Sequence, residues 1–281
     1  MIIDFHTHIF PRFFRERRED FFSGEPAFRL LYESPKSRLA GRGQLLRDMD
    51  TEGVSRAVIF GFPWADAERF RRHNDYILES VQKYPDRLIG FCCFDPLSPK
   101  APVEAERCLK EGLSGIGELA FYGEGLRPSN IAGLRVVMEL ARAHDVPVML
   151  HTNEPVGHSY PGKSPITLDQ IYGFIKAYPE NRIVLAHWGG GLFFYALMKK
   201  EVKEVLRDVW FDTAASPFLY TPEIYRIAGE VAGFERILFG SDYPLLAPSR
   251  YLEDIRAAGL TSENVTALTG ENAARLLGLP A

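Results

Sequence analysis

The chain has 281 residues, 46% hydrophobic and 25% charged, with 33 Lys and Arg against 37 Asp and Glu for a formal net charge of −4. That is an ordinary globular composition, and its mild acidity excludes nucleic acid as a bulk electrostatic partner. No apolar stretch nears the roughly 18–20 residues that span a bilayer, so no membrane segment is expected. The opening MIIDFHTHIFPRFF also lacks the basic and long apolar regions of a secretory signal.

Eight short, apolar, β-rich runs follow one another along the chain: 1–8, 55–63, 86–95, 113–121, 146–152, 181–189, 208–215 and 235–244. Between them, apolar residues at three- and four-residue spacing predict helices over 67–85, 130–145, 164–179 and 221–234, with a last helical stretch over 261–279. Ser129, Ser164-Pro165 and Thr221-Pro222-Glu223 read as helix starts. Short buried strands alternating with helices imply βα units and a parallel sheet. Eight units point to an α/β protein built as a single (β/α)8 TIM barrel over residues 1–281. An open doubly wound sheet would more often carry a glycine-rich turn after its first strand, and none is present.

Residues 11–43 have no clear period and hold eight basic residues against five acidic ones. As an insertion after strand 1 they belong at the C-terminal face of a barrel, where such enzymes build their sites. Two readings stay open, a lid and a solvated helical excursion of mixed charge. Cys92, Cys93 and Cys108 form no CxxC pair and read as core thiols of a cytoplasmic protein.

The ends of the strands carry the chemistry. His6 and His8 close strand 1, two residues apart and so on one face. Glu118 lies near the end of strand 4, His151 ends strand 5, His187 strand 6 and Asp242 strand 8. In a parallel barrel these positions converge at one mouth. Imidazole and carboxylate together suit zinc, with manganese or iron held less tightly. Singly, each has a plainer reading: a core histidine, a turn aspartate in SDYP, a Glu118 paired with a basic neighbour. The joint pattern favours a metal site. A chain long enough to bury about three quarters of its unfolded surface needs no metal for its core, so the metal serves chemistry. Of the other histidines, His73 and His144 read as surface or helix-end residues. His158, in the polar loop after strand 5, is a candidate substrate contact.

HTH after an apolar first strand, histidines ending strands 5 and 6, AHWGGG and FGSDYPL together resemble the amidohydrolase superfamily. The likeness is to its amidohydrolase-related branch, which holds both hydrolases and metal-dependent nonoxidative decarboxylases. The resemblance implies that His6, His8 and Asp242 bind one metal with His151 as a further ligand. His187 would bind a second metal or orient substrate. GIGELAF is similar to the strand-4 form in members whose glutamate bridges two metals, so Glu118 would join the set and two zinc ions are favoured over one. Metal-bound hydroxide would then attack, with Asp242 moving its proton.

Gly190, within the glycine run after His187, would let backbone N–H groups approach an anionic substrate, or serve only a tight turn. Arg38 and Arg42 of the insertion could grip a carboxylate, while Trp64, Tyr122 and Trp188 could wall the pocket or pack in the core. The expected function is a metal-dependent hydrolase of an ester, lactone or amide bond in a small, anionic molecule. The alternative is a decarboxylase of an aromatic or unsaturated acid. Assembly into a homo-oligomer is left open.

Overall fold

The computed structural model describes residues 1–123 and 125–279. Each apolar run holds a strand: β1 (Ile3–His8), β2 (Arg56–Phe60), β3 (Leu88–Cys92), β4 (Gly115–Leu119), β5 (Val148–Leu150), β6 (Ile183–Leu185), β7 (Val209–Asp212) and β8 (Ile237–Leu238). They are ordered β1 to β8 in one sheet of parallel pairs. The sheet closes where Phe5 N donates to Phe239 O at 2.7 Å and Thr7 bridges Tyr243. With helices outside, this is a TIM barrel. The strands are buried on both faces, which is why their runs read as nearly continuous apolar sequence.

Ile3, Phe5, Val58, Phe60, Phe91 and Met149 fill the barrel, and Ala273, Ala274 and Leu276 of the helix Asn272–Leu276 pack against them. The C-terminal segment is therefore a plug. A larger core lies between strands and outer helices. The helix expected over 130–145 is two, Pro128–Gly133 and Arg135–Ala143. The next begins at Thr167, whose side chain forms a capping box with Gln170; Ser164 instead donates to Asn153 Oδ1 at 2.8 Å.

Two irregularities in register aim the strands. Between Asp4 and Thr7 on β1, three steps face two on β2. Between Ile116 and Leu119 on β4, three steps face two on β5. Each extra residue is a bulge, a device that re-aims side chains beside functional sites. On β1 it lets Phe5 fill the barrel and His6 and His8 still turn inward above it. On β4 it leaves Ile116 and Leu119 in the outer core and turns the Glu118 carboxylate into the mouth.

The insertion is neither free excursion nor loose flap. Its helices Arg12–Glu16 and Pro26–Tyr32 bury Phe14 and Phe28 against Trp64, ring centroids 4.4 and 4.3 Å away. Glu25 clamps it to the β2 side, accepting from Ala65 N at 2.8 Å and Asp66 N at 2.9 Å. Its apolar content is aromatic and aperiodic, so the packing left no helical signature in the sequence.

Candidate metal centre at the mouth of the barrel

His6 Nε2 and His8 Nε2 stand 3.3 Å apart, and Asp242 Oδ1 is 3.5 Å from each. Ligands bound to one ion at about 2.0–2.2 Å with tetrahedral angles lie roughly 3.3–3.6 Å apart. The three atoms thus have the spacing of a shared cation, and the donor set fits one. Glu118 faces the same point, with Oε1 3.8 Å from His6 Nε2 and Oε2 3.8 Å from His8 Nε2. On its other side, Glu118 Oε1 accepts from His151 Nδ1 at 2.9 Å and His187 Nε2 at 3.2 Å. Those six residues form three overlapping groups able to hold a metal: His6–His8–Glu118, His6–His187–Asp242 and Glu118–His151–His187.

A second layer orients the rings. His6 Nδ1 donates to Asp212 Oδ2 at 2.8 Å, His8 Nδ1 to Gly61 O at 3.1 Å and His187 Nδ1 to Ala214 O at 3.3 Å. Each bond turns Nε2 toward the centre, the arrangement that makes a histidine a fixed ligand. His151 is reversed, with Nδ1 on Glu118 and Nε2 donating to Gly162 O at 2.9 Å. Beneath, Asp4 accepts from Ser241 N at 2.9 Å, from His6 N at 3.2 Å and from Ser241 Oγ, tying β1 to the residue before Asp242. Burial raises its carboxyl to about 6 despite these bonds.

The charges explain the titration. Burial alone would push the His6 imidazolium to lose its proton, yet Asp212, Glu118 and Asp242 outweigh it and raise the group to about 10. Burial likewise opposes ionisation of Glu118, but His151 and His6 hold it well below the carboxylate range. Asp242 is lowered against its burial by the bond from His8 and by the charges of His6 and His187. A pocket with this many buried carboxylates demands positive charge. Backbone strain gathers here too: His187, Trp188, Ala215 and Asp242 all have positive φ (117°, 43°, 59° and 55°) beyond the ends of β6, β7 and β8.

The remaining expected residues scatter. Arg38 and His158 are exposed. Arg42 turns away onto the helix Ala67–Lys83, where it reaches Ser80 and Glu79. Gly190, at φ 61°, leaves no room for a β-carbon beside the Asn153 carbonyl, so the tight turn requires it. Trp64 and Trp188 are wholly buried core, and Tyr122 alone of the three aromatics stands at the mouth, its ring 5.3 Å from His151. His73 is not a surface residue: it is fully buried, accepting from Trp64 Nε1 at 2.9 Å and donating to Ile9 O at 2.7 Å. Sequence reading missed Asp212 and Tyr32. Asp212 ends β7 just as the ligand residues end theirs, and that position was the available signal.

A parallel barrel with imidazoles and carboxylates converging from five strand ends defines a TIM-barrel protein with a candidate metal site. The chain belongs to the amidohydrolase family, whose profile matches residues 3–279. It is 26% identical over 221 residues to a gamma-resorcylate decarboxylase of Polaromonas sp. (strain JS666 / ATCC BAA-500), covering 63% of this chain and 66% of that one. It is 24% identical to a 2-amino-3-carboxymuconate-6-semialdehyde decarboxylase of Dictyostelium discoideum over 99% of this chain and 91% of the other. Its fold matches, at a TM-score of 0.78 and 17% identity, a 5-carboxyvanillate decarboxylase from Novosphingobium aromaticivorans solved with manganese and 3-methoxy-4-hydroxy-5-nitrobenzoic acid. That match covers 99% of this chain and 97% of that structure.

These relatives overturn the expected hydrolase. They are decarboxylases, and hydrolases and decarboxylases of one fold share the ligand types on which the expectation stood. The ion in that solved structure is manganese, not the expected zinc. Among the described residues, no helix is long and apolar enough to cross a membrane.

Proposed function

We propose that this chain is a divalent-metal-dependent, nonoxidative decarboxylase of an aromatic or unsaturated carboxylic acid. The observation that carries the reading is the His6–His8–Asp242 triangle, set beside the hydrogen-bonded group of Glu118, His151 and His187. The decarboxylase relatives give it its chemistry.

One ion, manganese or zinc, is proposed, held by His6, His8 and Asp242 with Glu118 facing it. His151 and His187, on Glu118 Oε1 at 2.9 and 3.2 Å, are proposed to carry protons to that oxygen rather than to hold a second ion. A bound cation supplies Lewis-acid hold on an oxygen of the substrate.

The rest falls to the chain. Cleavage leaves the bonding pair on the carbon that bore the carboxylate, releases neutral carbon dioxide and requires one proton at that carbon. Asp242 and His187 are the groups placed to bring it. Both ring nitrogens of His187 face acceptors, and its proton affinity is raised: burial works against this, but Glu118 and Asp242 prevail. Arg38 and His158 are proposed as contacts only for substrate entering the mouth. Three buried, unpaired cysteines suit the cytoplasm.

The test is metal content of unstripped protein together with carbon dioxide release from ring acids, 2,6-dihydroxybenzoate and 5-carboxyvanillate first. One ion per chain and metal-dependent release are expected, with one ion retained in Glu118→Gln. A fully loaded chain that releases no carbon dioxide from any ring or unsaturated acid would overturn the reading.

A further inference from the structure

Two phenols at the mouth stand outside the hydrogen-bond network. Tyr32 ends the insertion helix Pro26–Tyr32, and its ring lies 5.4 Å from Phe10 and 6.0 Å from Phe62, each two residues beyond the end of β1 or β2. Tyr122 lies three residues beyond the end of β4, its ring 5.3 Å from the ring of His151. Both are half-buried, and neither hydroxyl bonds another described residue. Three tyrosines packed elsewhere are anchored: Tyr76 accepts from Arg42 N, Tyr243 donates to Asp48 and Tyr251 donates to Ser241 O, whereas Tyr225 OH, away from the mouth, has no partner among the described residues. A buried phenol ordinarily finds such a partner.

Both hydroxyls feel the acidic centre. Each phenol is held well above its ordinary range by burial first; the next contribution is Asp242 for Tyr32 and Glu118 for Tyr122. The ring of Tyr122 stands beside His151 at the mouth, and the wall behind Tyr32 is apolar: Phe10, Phe28 and Phe62. Such a space favours a flat ring, and two idle donors at its edges favour a ring carrying an oxygen acceptor.

We propose that Tyr32 and Tyr122 are a substrate-positioning pair, donating hydrogen bonds to an oxygen substituent of an aromatic acid and so selecting hydroxylated rings over bare ones. This deepens the decarboxylase reading and borrows from it only the ring acid as ligand class. One hydrogen bond to a neutral oxygen is worth roughly 3- to 10-fold in affinity.

The test is calorimetric binding of 2-, 3- and 4-hydroxybenzoate against benzoate to manganese-loaded wild type, Tyr32→Phe and Tyr122→Phe. Each change removes one oxygen, and metal content verifies that the variants remain assembled. Wild type should bind one hydroxybenzoate more tightly than benzoate, and each variant should lose roughly 3- to 10-fold of that preference with benzoate affinity unchanged. Variants that keep the wild-type preference would overturn the proposal, as would a wild type that prefers no hydroxybenzoate. Carbon dioxide release, measured separately, keeps the two readings apart. A preference that both tyrosines support, without release from any acid, sinks the decarboxylase and leaves the pair standing.

Discussion

His6 and His73 are both fully buried near the end of β1, yet burial has opposite outcomes for them. His73 sits in the aromatic cap, its ring 4.9 Å from Phe10 and 5.4 Å from Phe14, with an indole donor on one nitrogen and a carbonyl on the other. Nothing there compensates a charge, so burial lowers it to about 3 and it stays neutral. His6 meets the same burial, but Asp212, Glu118 and Asp242 surround it and raise it to about 10. Counter-charge, not depth, separates a packing histidine from one built to face a cation. The difference teaches how to read the centre: its carboxylates are what make it a candidate metal site.

The largest effect should come from removing a carboxylate of the triangle. Asp242→Asn keeps the shape but loses both a charge beside His6 and His8 and the proposed proton carrier. Steady-state decarboxylation should fall roughly 10³-fold, with the thermal midpoint little changed. Activity within tenfold of wild type would show that Asp242 is not part of the chemistry.

Next comes the carboxylate behind the ring. Asp212 touches no expected ligand atom at the centre: its two oxygens accept from His6 Nδ1 and from Ala214 N. Asp212→Asn leaves an oxygen to accept that bond but removes the charge that makes the imidazole more basic. Manganese affinity, read by competition with a chelator, should drop roughly 10- to 100-fold. An unchanged affinity would reduce Asp212 to packing.

How much of this was legible depends on which physical signal each feature leaves. All eight strands showed, because strands buried on both faces must be apolar throughout. His6, His8, His151, His187 and Asp242 showed because strand ends in a parallel barrel converge whatever the loops do. The aim of Glu118 did not show, since it depends on a bulge, although the glycine before it was visible: Gly117, at φ 135°, backs onto the Met149 main chain where a β-carbon has no room. Tyr32 lay in an insertion whose aromatic packing follows no period. His73 was misread from its neighbours Arg71 and Arg72. The spacing of Phe70, His73, Asn74 and Ile77, all buried on one face of their helix, held the better signal. Hydrolase and decarboxylase were indistinguishable because the ligand residues come before the choice of reaction.

The smallest expected effect lies on the cap, in stability with no loss of catalysis. His73 has a folded value of about 3 against 6.5 for an unperturbed histidine, so between those values the unfolded chain binds more protons than the folded one. The stability this neutral side chain supports is therefore complete above pH 6.5 and is lost as pH falls toward 3. Between pH 7.5 and 5 the loss amounts to about 2 kcal/mol. A glutamine offers an acceptor to Trp64 and a donor to Ile9 without titrating, so His73→Gln should flatten the acid slope by that amount. Urea unfolding of both proteins at the two pH values measures it, and the shared acid response of the metal centre cancels in the difference. If the slopes are equal, His73 is protonated in the folded chain, and the cap holds a counter-charge after all.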